Sequence, residues 1–110
     1  MSYFLHITTT AERDLLRAAE YIEFTLKNPD AAKRLLDVAE QRISSLSDMP
    51  EKFQLVDDPF LASWGIRYVM INDYLAFYVI DPKQQLVIIV RILCQKSNWN
   101  SILHQGFTLR

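Results

Sequence analysis

The sequence predicts a single α+β domain: an N-terminal strand, an antiparallel helix hairpin, a three-stranded antiparallel meander completing a four-stranded sheet, and a short C-terminal helix. Three observations carry this. Between residues 10 and 46, apolar side chains recur at helical steps of three and four. Between residues 65 and 94, they fill three strand-length runs separated by turn residues. The 110 residues are 50% hydrophobic and include only 2 glycines, enough for one packed core and too few for two.

Residues 2 to 8 alternate Tyr3, Leu5 and Ile7 against Phe4 and His6, the period of a strand. Thr9 precedes Glu12 by three residues, the spacing of a capping box, so the first helix is predicted to begin at about Thr10. Leu15, Ala19, Ile22 and Leu26 form its apolar stripe, and it ends near Lys27. Asn28-Pro29-Asp30 supplies a cap and a first-turn proline, which starts the second helix at once. Its seam reads Ala32, Leu36, Ala39, Ile43 and Leu46, and Ser47-Asp48-Met49-Pro50 stops it.

Residues 51 to 63 show no period and are read as a loop, with Phe53, Leu55 and Phe60 dipping into the core and room for a short strand. Strands are predicted over 65 to 71, 74 to 81 and 86 to 94. Asn72-Asp73 tolerates positive φ and makes a two-residue hairpin turn, and Asp81-Pro82-Lys83-Gln84-Gln85 makes a longer one. Ser97 or Asn98 caps a last helix holding Trp99, Ile102 and Leu103, before a polar end.

Composition excludes several function classes. The net charge is −1, divided into an acidic stretch (residues 1 to 63, seven Lys/Arg against eleven Asp/Glu) and a mildly basic one (64 to 110, five against two). The chain as a whole therefore lacks the basic excess of a nucleic-acid-binding domain. Cys94 stands alone, which excludes an internal disulfide, and with His6 and His104 it makes no metal pattern. A reducing cytoplasm fits, and no charged leader or membrane-length apolar run is present.

The last strand is apolar on both faces: Val87, Ile89 and Leu93 share one with Arg91, and Leu86, Ile88, Val90, Ile92 and Cys94 share the other. Two helices roof only one face of a four-stranded sheet. The second must be covered by residues 51 to 63, by the terminal helix, by another chain, or by a combination of these. Arg91 needs a carboxylate partner, for which Asp81 is the candidate. Tyr68, Tyr74 and Tyr78 are placed in a row on one strand face, and Trp64 and Trp99 are read as packing anchors.

An ordered set of segments then resembles a known family: Ala11-Glu-Arg-Asp-Leu-Leu with Tyr21-Ile22, Asn28-Pro-Asp-Ala-Ala-Lys-Arg-Leu-Leu, Ile43-Ser-Ser-Leu with Pro50, Gly65-Ile-Arg, Tyr74-Leu-Ala-Phe-Tyr-Val-Ile-Asp, and Val90-Arg-Ile-Leu ending at Trp99. Over residues 3 to 100 the chain is similar to the RelE/ParE toxins of bacterial type II toxin–antitoxin systems, also named plasmid stabilisation proteins. The resemblance implies one toxin domain over residues 1 to 110, no cofactor and no metal. It also implies a cognate antitoxin that wraps exposed apolar surface, in a toxin–antitoxin hetero-oligomer.

The resemblance further implies a cellular target: messenger RNA on the ribosome for RelE-like members, DNA gyrase for ParE-like ones. RNA cleavage needs a proton acceptor, cations for the phosphate and an acid for the leaving oxygen. Where RelE-like members carry an arginine after the tyrosine of the third strand, this chain has Leu75. Where they carry His-Gly-Arg-Arg-Asp-Trp, it has Cys94-Gln-Lys-Ser-Asn-Trp99. The expectation is therefore a ParE-like toxin that acts by binding, with the metal-independent ribonuclease and an inactive family member as alternatives.

Candidate catalytic residues are Arg67, from the Gly-Ile-Arg segment, with Arg91 and Lys96. Arg67 is otherwise expected to form a salt bridge to the acidic helix hairpin. Partner contacts are expected at Tyr74, Tyr78, Arg91 and Trp99. His104 lies beyond the motif, and Cys94 has no partner histidine there to make it a nucleophile.

Overall fold

The computed structural model describes residues 2–110. In order, it contains β1 (Phe4–Ile7), α1 (Thr9–Glu20), α2 (Pro29–Ser44), α3 (Pro59–Ser63), β2 (Arg67–Ile71), β3 (Tyr74–Asp81), β4 (Leu86–Cys94) and α4 (Trp99–His104). The strands form one sheet in the order β1-β4-β3-β2. β1 runs parallel to β4, while β2, β3 and β4 form the expected antiparallel meander.

α1 is capped by Thr8, one residue earlier than Thr9: its buried side chain accepts from Ala11 N at 3.1 Å. The helix then loosens into a π-helical turn over Tyr21–Thr25, where Leu26 N reaches back five residues to Tyr21 O at 3.1 Å. The wider turn rotates the end of the segment away from the sheet, so Leu26, expected in the stripe, is 56% exposed. Lys27 ends the segment at φ 53°, and Asn28 caps α2 as predicted by accepting from Ala31 N. In the α2 seam, Leu35 and not Leu36 is buried.

The helix hairpin covers one face of the sheet. Ala11, Ala18, Leu35, Ala39, Ile43 and Leu46 pack there on Val69, Ile71, Ala76, Tyr78, Val87, Ile89 and Ile92. The second face is covered largely by the chain itself: Val56 and Leu61 from the 51–63 segment and Leu103 from α4 bury Phe77, Ile88, Val90 and Leu93. That segment is less of a loop than expected. It holds a 3-10 turn at Pro50–Lys52, the helix α3 and a single bridge from Leu55 to Arg67. Val56 and Leu61 enter the core, whereas Leu55 and Phe60 stay exposed.

β4 does not keep one alternation. Phe77 pairs with Arg91 and Tyr78 with Ile89, so Val90 is an extra residue, a β-bulge. Beyond it the faces exchange: Ile92 joins the helix side and Leu93 the second side, the reverse of the strict alternation. Tyr68 also departs from the expected row, because it packs on the second face while Tyr74 and Tyr78 pack under the helices.

Candidate functional site

Arg91, paired with Phe77 of the second face, bonds to Asp14 of α1 past the point where β1 ends. Its Nε donates to Asp14 Oδ2 at 2.7 Å and its Nη2 to Asp14 Oδ1 at 3.0 Å, while Ile92 N donates to the same Oδ2 at 3.1 Å. Asp14 of α1 therefore takes the place expected of Asp81. The Asp81 carboxylate is occupied by its own turn, accepting from Lys83 N, Gln84 N and Gln84 Nε2. The bidentate pair uses two of the five guanidinium N–H donors and sets the Asp14 carboxylate against the charge that would attract a phosphate.

Arg67, paired with Tyr78, is on the helix side, but it makes no salt bridge to the hairpin. Its Nη1 donates to the carbonyls of Phe53 (2.6 Å) and Glu51 (3.3 Å), tying β2 to the Pro50–Lys52 turn. Tyr78, its partner in the β2–β3 register, is fully buried and donates its hydroxyl to Pro50 O at 2.6 Å. Burial pushes that hydroxyl up to about 12, against a smaller opposing effect from Arg67. Arg67 and Tyr78 together fasten one turn, and Tyr78 has no surface to offer a partner.

Lys96 lies on the opposite side of the sheet. It lines a cleft of about 290 Å³ with Asp57, Tyr68, Met70, Leu75, Gln95 and Trp99. Trp99 forms a wall by tilting against Phe77, with ring centroids 5.1 Å apart, and the Tyr68 hydroxyl accepts from Gln54 Nε2. Leu75 is thus inside the cleft, and Lys96 is the one cation among its lining residues. Tyr74 is half-buried in a different cavity, of about 510 Å³, lined also by Tyr21, Leu26, Arg34 and Cys94. Burial, and then Cys94 and Asp73, raise its hydroxyl above the ordinary phenol range.

The three candidate cations therefore do not converge. Arg67 is committed on the helix side to two backbone carbonyls, Arg91 is committed to the Asp14 carboxylate, and Lys96 stands in the cleft on the second face. The cleft offers one ammonium, one carboxylate and an aromatic wall. It can hold an anionic or planar group, but it does not assemble a proton acceptor, several cations and an acid around one phosphate. No group of three or more His, Cys, Asp and Glu able to hold a metal occurs among the described residues. No helix there is long and apolar enough to cross a membrane.

Sequence reasoning misses a larger site. An apolar groove of about 640 Å³ lies between α3, the β3–β4 turn and the tail after α4, with Phe60, Trp64, Ile80, Phe107 and Leu109 among its walls. His104 stacks on Phe60 at 4.9 Å and meets Asp58 Oδ2 at 2.7 Å, closing one end. The end of the chain, expected to be polar, supplies part of this apolar wall. The alternation of Phe107 and Leu109 is the available signal, and it is too short to register as an element.

A helix hairpin on one face of a four-stranded mixed sheet, with a short helix crossing the other, is the architecture of the small toxins of the RelE/ParE superfamily. The sequence pattern of the family described as the ParE toxin of the type II toxin–antitoxin system parDE matches residues 5–99, and the chain belongs to that family. Solved structures of toxin–antitoxin systems share its fold, and two of them illustrate the likeness. The chromosomal ParDE toxin–antitoxin system from P. aeruginosa superposes with a TM-score of 0.67 at 16% identity, over 84% of this chain and 96% of the other. The toxin–antitoxin complex RelBE2 from Mycobacterium tuberculosis gives 0.58 at 21% identity, over 88% and 95%. A comparison with curated protein sequences finds no match.

Proposed function

We propose that this chain is the toxin of a type II toxin–antitoxin pair, that it arrests growth by binding an essential target, with DNA gyrase favoured, and that a cognate antitoxin neutralises it in the cytoplasm. Family membership supports the toxin assignment. The observation that favours binding over RNA cleavage is the separation of the cations: Arg91 is locked to Asp14, Arg67 to two backbone carbonyls, and Lys96 faces the other way beside Leu75. An antitoxin partner is supported by the two similar structures, both of toxin–antitoxin systems. Large apolar side chains left exposed on this chain, Phe4, Phe24 and Trp64 among them, suit such a partner.

Induction in a bacterial host tests the reading. Filamentation and a DNA-damage response with translation continuing are expected. Immediate loss of translation with cleaved messenger RNA would assign the ribonuclease activity instead, and unaltered growth would mark an inactive family member.

A further inference from the structure

β1 is an edge strand: β4 lies on one side of it, and no strand lies on the other among the described residues. Phe4 N donates to Gln85 O at 2.8 Å and Thr8 N to Ile89 O at 3.1 Å, so the even-numbered residues turn their backbone groups toward β4. The odd-numbered ones turn theirs outward. The chain itself takes the two at the ends, where Tyr3 N donates to Ser47 O at 2.7 Å and Thr9 N to Arg110 O at 3.3 Å. Between them, the N–H groups of Leu5 and Ile7 face away from the sheet with no backbone acceptor among the described residues.

The opposite edge of the sheet is guarded. On β2, Tyr68 N donates to Gln54 O at 3.3 Å and Val56 N to Ile66 O at 3.0 Å, so the 54–56 segment lies along that strand. Open edges are ordinarily blunted by charged side chains or proline, and residues 2 to 11 contain no Lys, Arg, Asp, Glu or Pro. The ends of the gap decide what fits. A long strand laid along β1 meets Ser47 at one end and Arg110 at the other, whereas a short one that turns away at both ends does not. β1 itself is such a strand: it is 4 residues long, Tyr3 before it packs into the helix-side core, and α1 begins at Thr9. Its open groups are also symmetric, with Leu5 and Ile7 on either side of His6.

We infer that two copies of this chain pair antiparallel through β1, about a two-fold axis at His6. Leu5 of each copy then exchanges both backbone hydrogen bonds with Ile7 of the other, and His6 stands opposite its counterpart in a non-hydrogen-bonded pair. In the β1–β4 register Leu5 and Ile7 lie beside Val87 and Ile89, which pack under the helix hairpin. The new cross-strand pairs are therefore apolar, and they join the helix-side faces of the two sheets. This pairing is independent of the target and of the antitoxin.

Sedimentation of the full chain alone, over a concentration series reaching about 1 mM, tests the pairing. A monomer–dimer equilibrium is expected, in which the Leu5 and Ile7 amides gain protection against hydrogen exchange as dimer forms, while the His6 amide, facing β4, is protected throughout. Leu5→Pro deletes an outward N–H and spares the ladder to β4, because an edge strand tolerates proline where its N–H faces solvent. It should weaken dimerisation at least about tenfold. His6→Lys gives a second reading that does not depend on the strand accepting proline. It sets two ammonium groups opposite each other only in the dimer, and should weaken it about fivefold at low salt, with recovery at high salt. A monomer throughout the series overturns the inference, as does a dimer whose Leu5 and Ile7 amides stay unprotected or which both variants leave unchanged. Protection of those amides only on adding the protein encoded by the adjoining reading frame assigns the edge to that partner and overturns it equally.

Discussion

Asp14 and Arg91 lie 77 residues apart in sequence and are joined at two points, with a third bond from Ile92 N to the same carboxylate. β1 pairs with β4 only as far as Ile89, so the Ile92 amide has no strand partner on that side, and Asp14 satisfies it while neutralising the neighbouring arginine. One side chain of α1 thus fixes the helix layer onto the point where the sheet changes face.

Asp14→Ala should destabilise the fold by about 2 kcal/mol, because it leaves a part-buried guanidinium and a backbone amide without partners. Arg91→Lys should recover part of the charge pairing but not the two-point fork. Urea denaturation of the three proteins checks this. A loss below about 0.5 kcal/mol for Asp14→Ala would show the pair to be incidental.

Tyr78→Phe should cost about 1 kcal/mol near neutral pH by leaving Pro50 O without its donor. It should also alter the alkaline profile. A phenol ordinarily titrates near pH 10, and burial raises that of Tyr78 to about 12 in the folded chain. Folding therefore favours the neutral hydroxyl, whose contribution is complete below about pH 10 and is lost as the pH climbs towards 12. Denaturation midpoints followed from pH 9 to 12 should fall more steeply for the unaltered chain than for Tyr78→Phe. Parallel curves would contradict the burial argument.

At the acid end, the His104 contact, followed by the Leu61 amide, holds Asp58 below the ordinary carboxylate range. A lowered folded value means that the ionised carboxylate contributes stability above the unfolded value, and that this is lost as pH falls through the folded one. The α3–α4 clasp should therefore loosen below about pH 4. Protection of the α4 amides against hydrogen exchange, corrected for the intrinsic pH dependence of exchange, should fall there in the unaltered chain. Asp58→Asn should show lower protection already at neutral pH and little further change on acidification.

Lys96→Ala should leave toxicity within about twofold, because a lone exposed ammonium in an aromatic cleft contributes little unless a phosphate is being cleaved there. Arg67→Ala should act through stability, by about 1 to 2 kcal/mol from its two carbonyl contacts, and toxicity should fall only as far as the folded fraction does. Growth curves normalised to soluble protein separate the two effects. Complete loss of toxicity from a folded Lys96→Ala protein would favour catalysis.

The two hairpin helices, the last helix, the strands and the turns are legible in the sequence, unlike α3, because their periods are strong and their punctuation is explicit: Asn28-Pro29, Asn72-Asp73 and Asp81-Pro82 each fall where the chain turns. The bulge is not. With Leu86 to Cys94 apolar on both faces, a slip of one residue changes no hydrophobic pattern, so the side on which Ile92 and Leu93 lie is set only by packing. The π-turn after α1 is hidden for a similar reason, since Tyr21, Phe24 and Leu26 are large apolar residues that suit either phase. Arg91 visibly needs a carboxylate, but choosing Asp14 over the nearer Asp81 requires the tertiary fold. In the candidate site, the absence of an arginine at position 75 is readable directly, whereas the groove needs α3, a strand turn and the tail brought together.

As proposed, this toxin binds its target and cuts no RNA. The most direct measurement adds the purified chain to a DNA gyrase supercoiling reaction and, in parallel, to a translating extract whose messenger RNA is mapped for new ends. Inhibited supercoiling with intact messenger RNA is expected. Codon-spaced cleavage in the extract with supercoiling unaffected would contradict it.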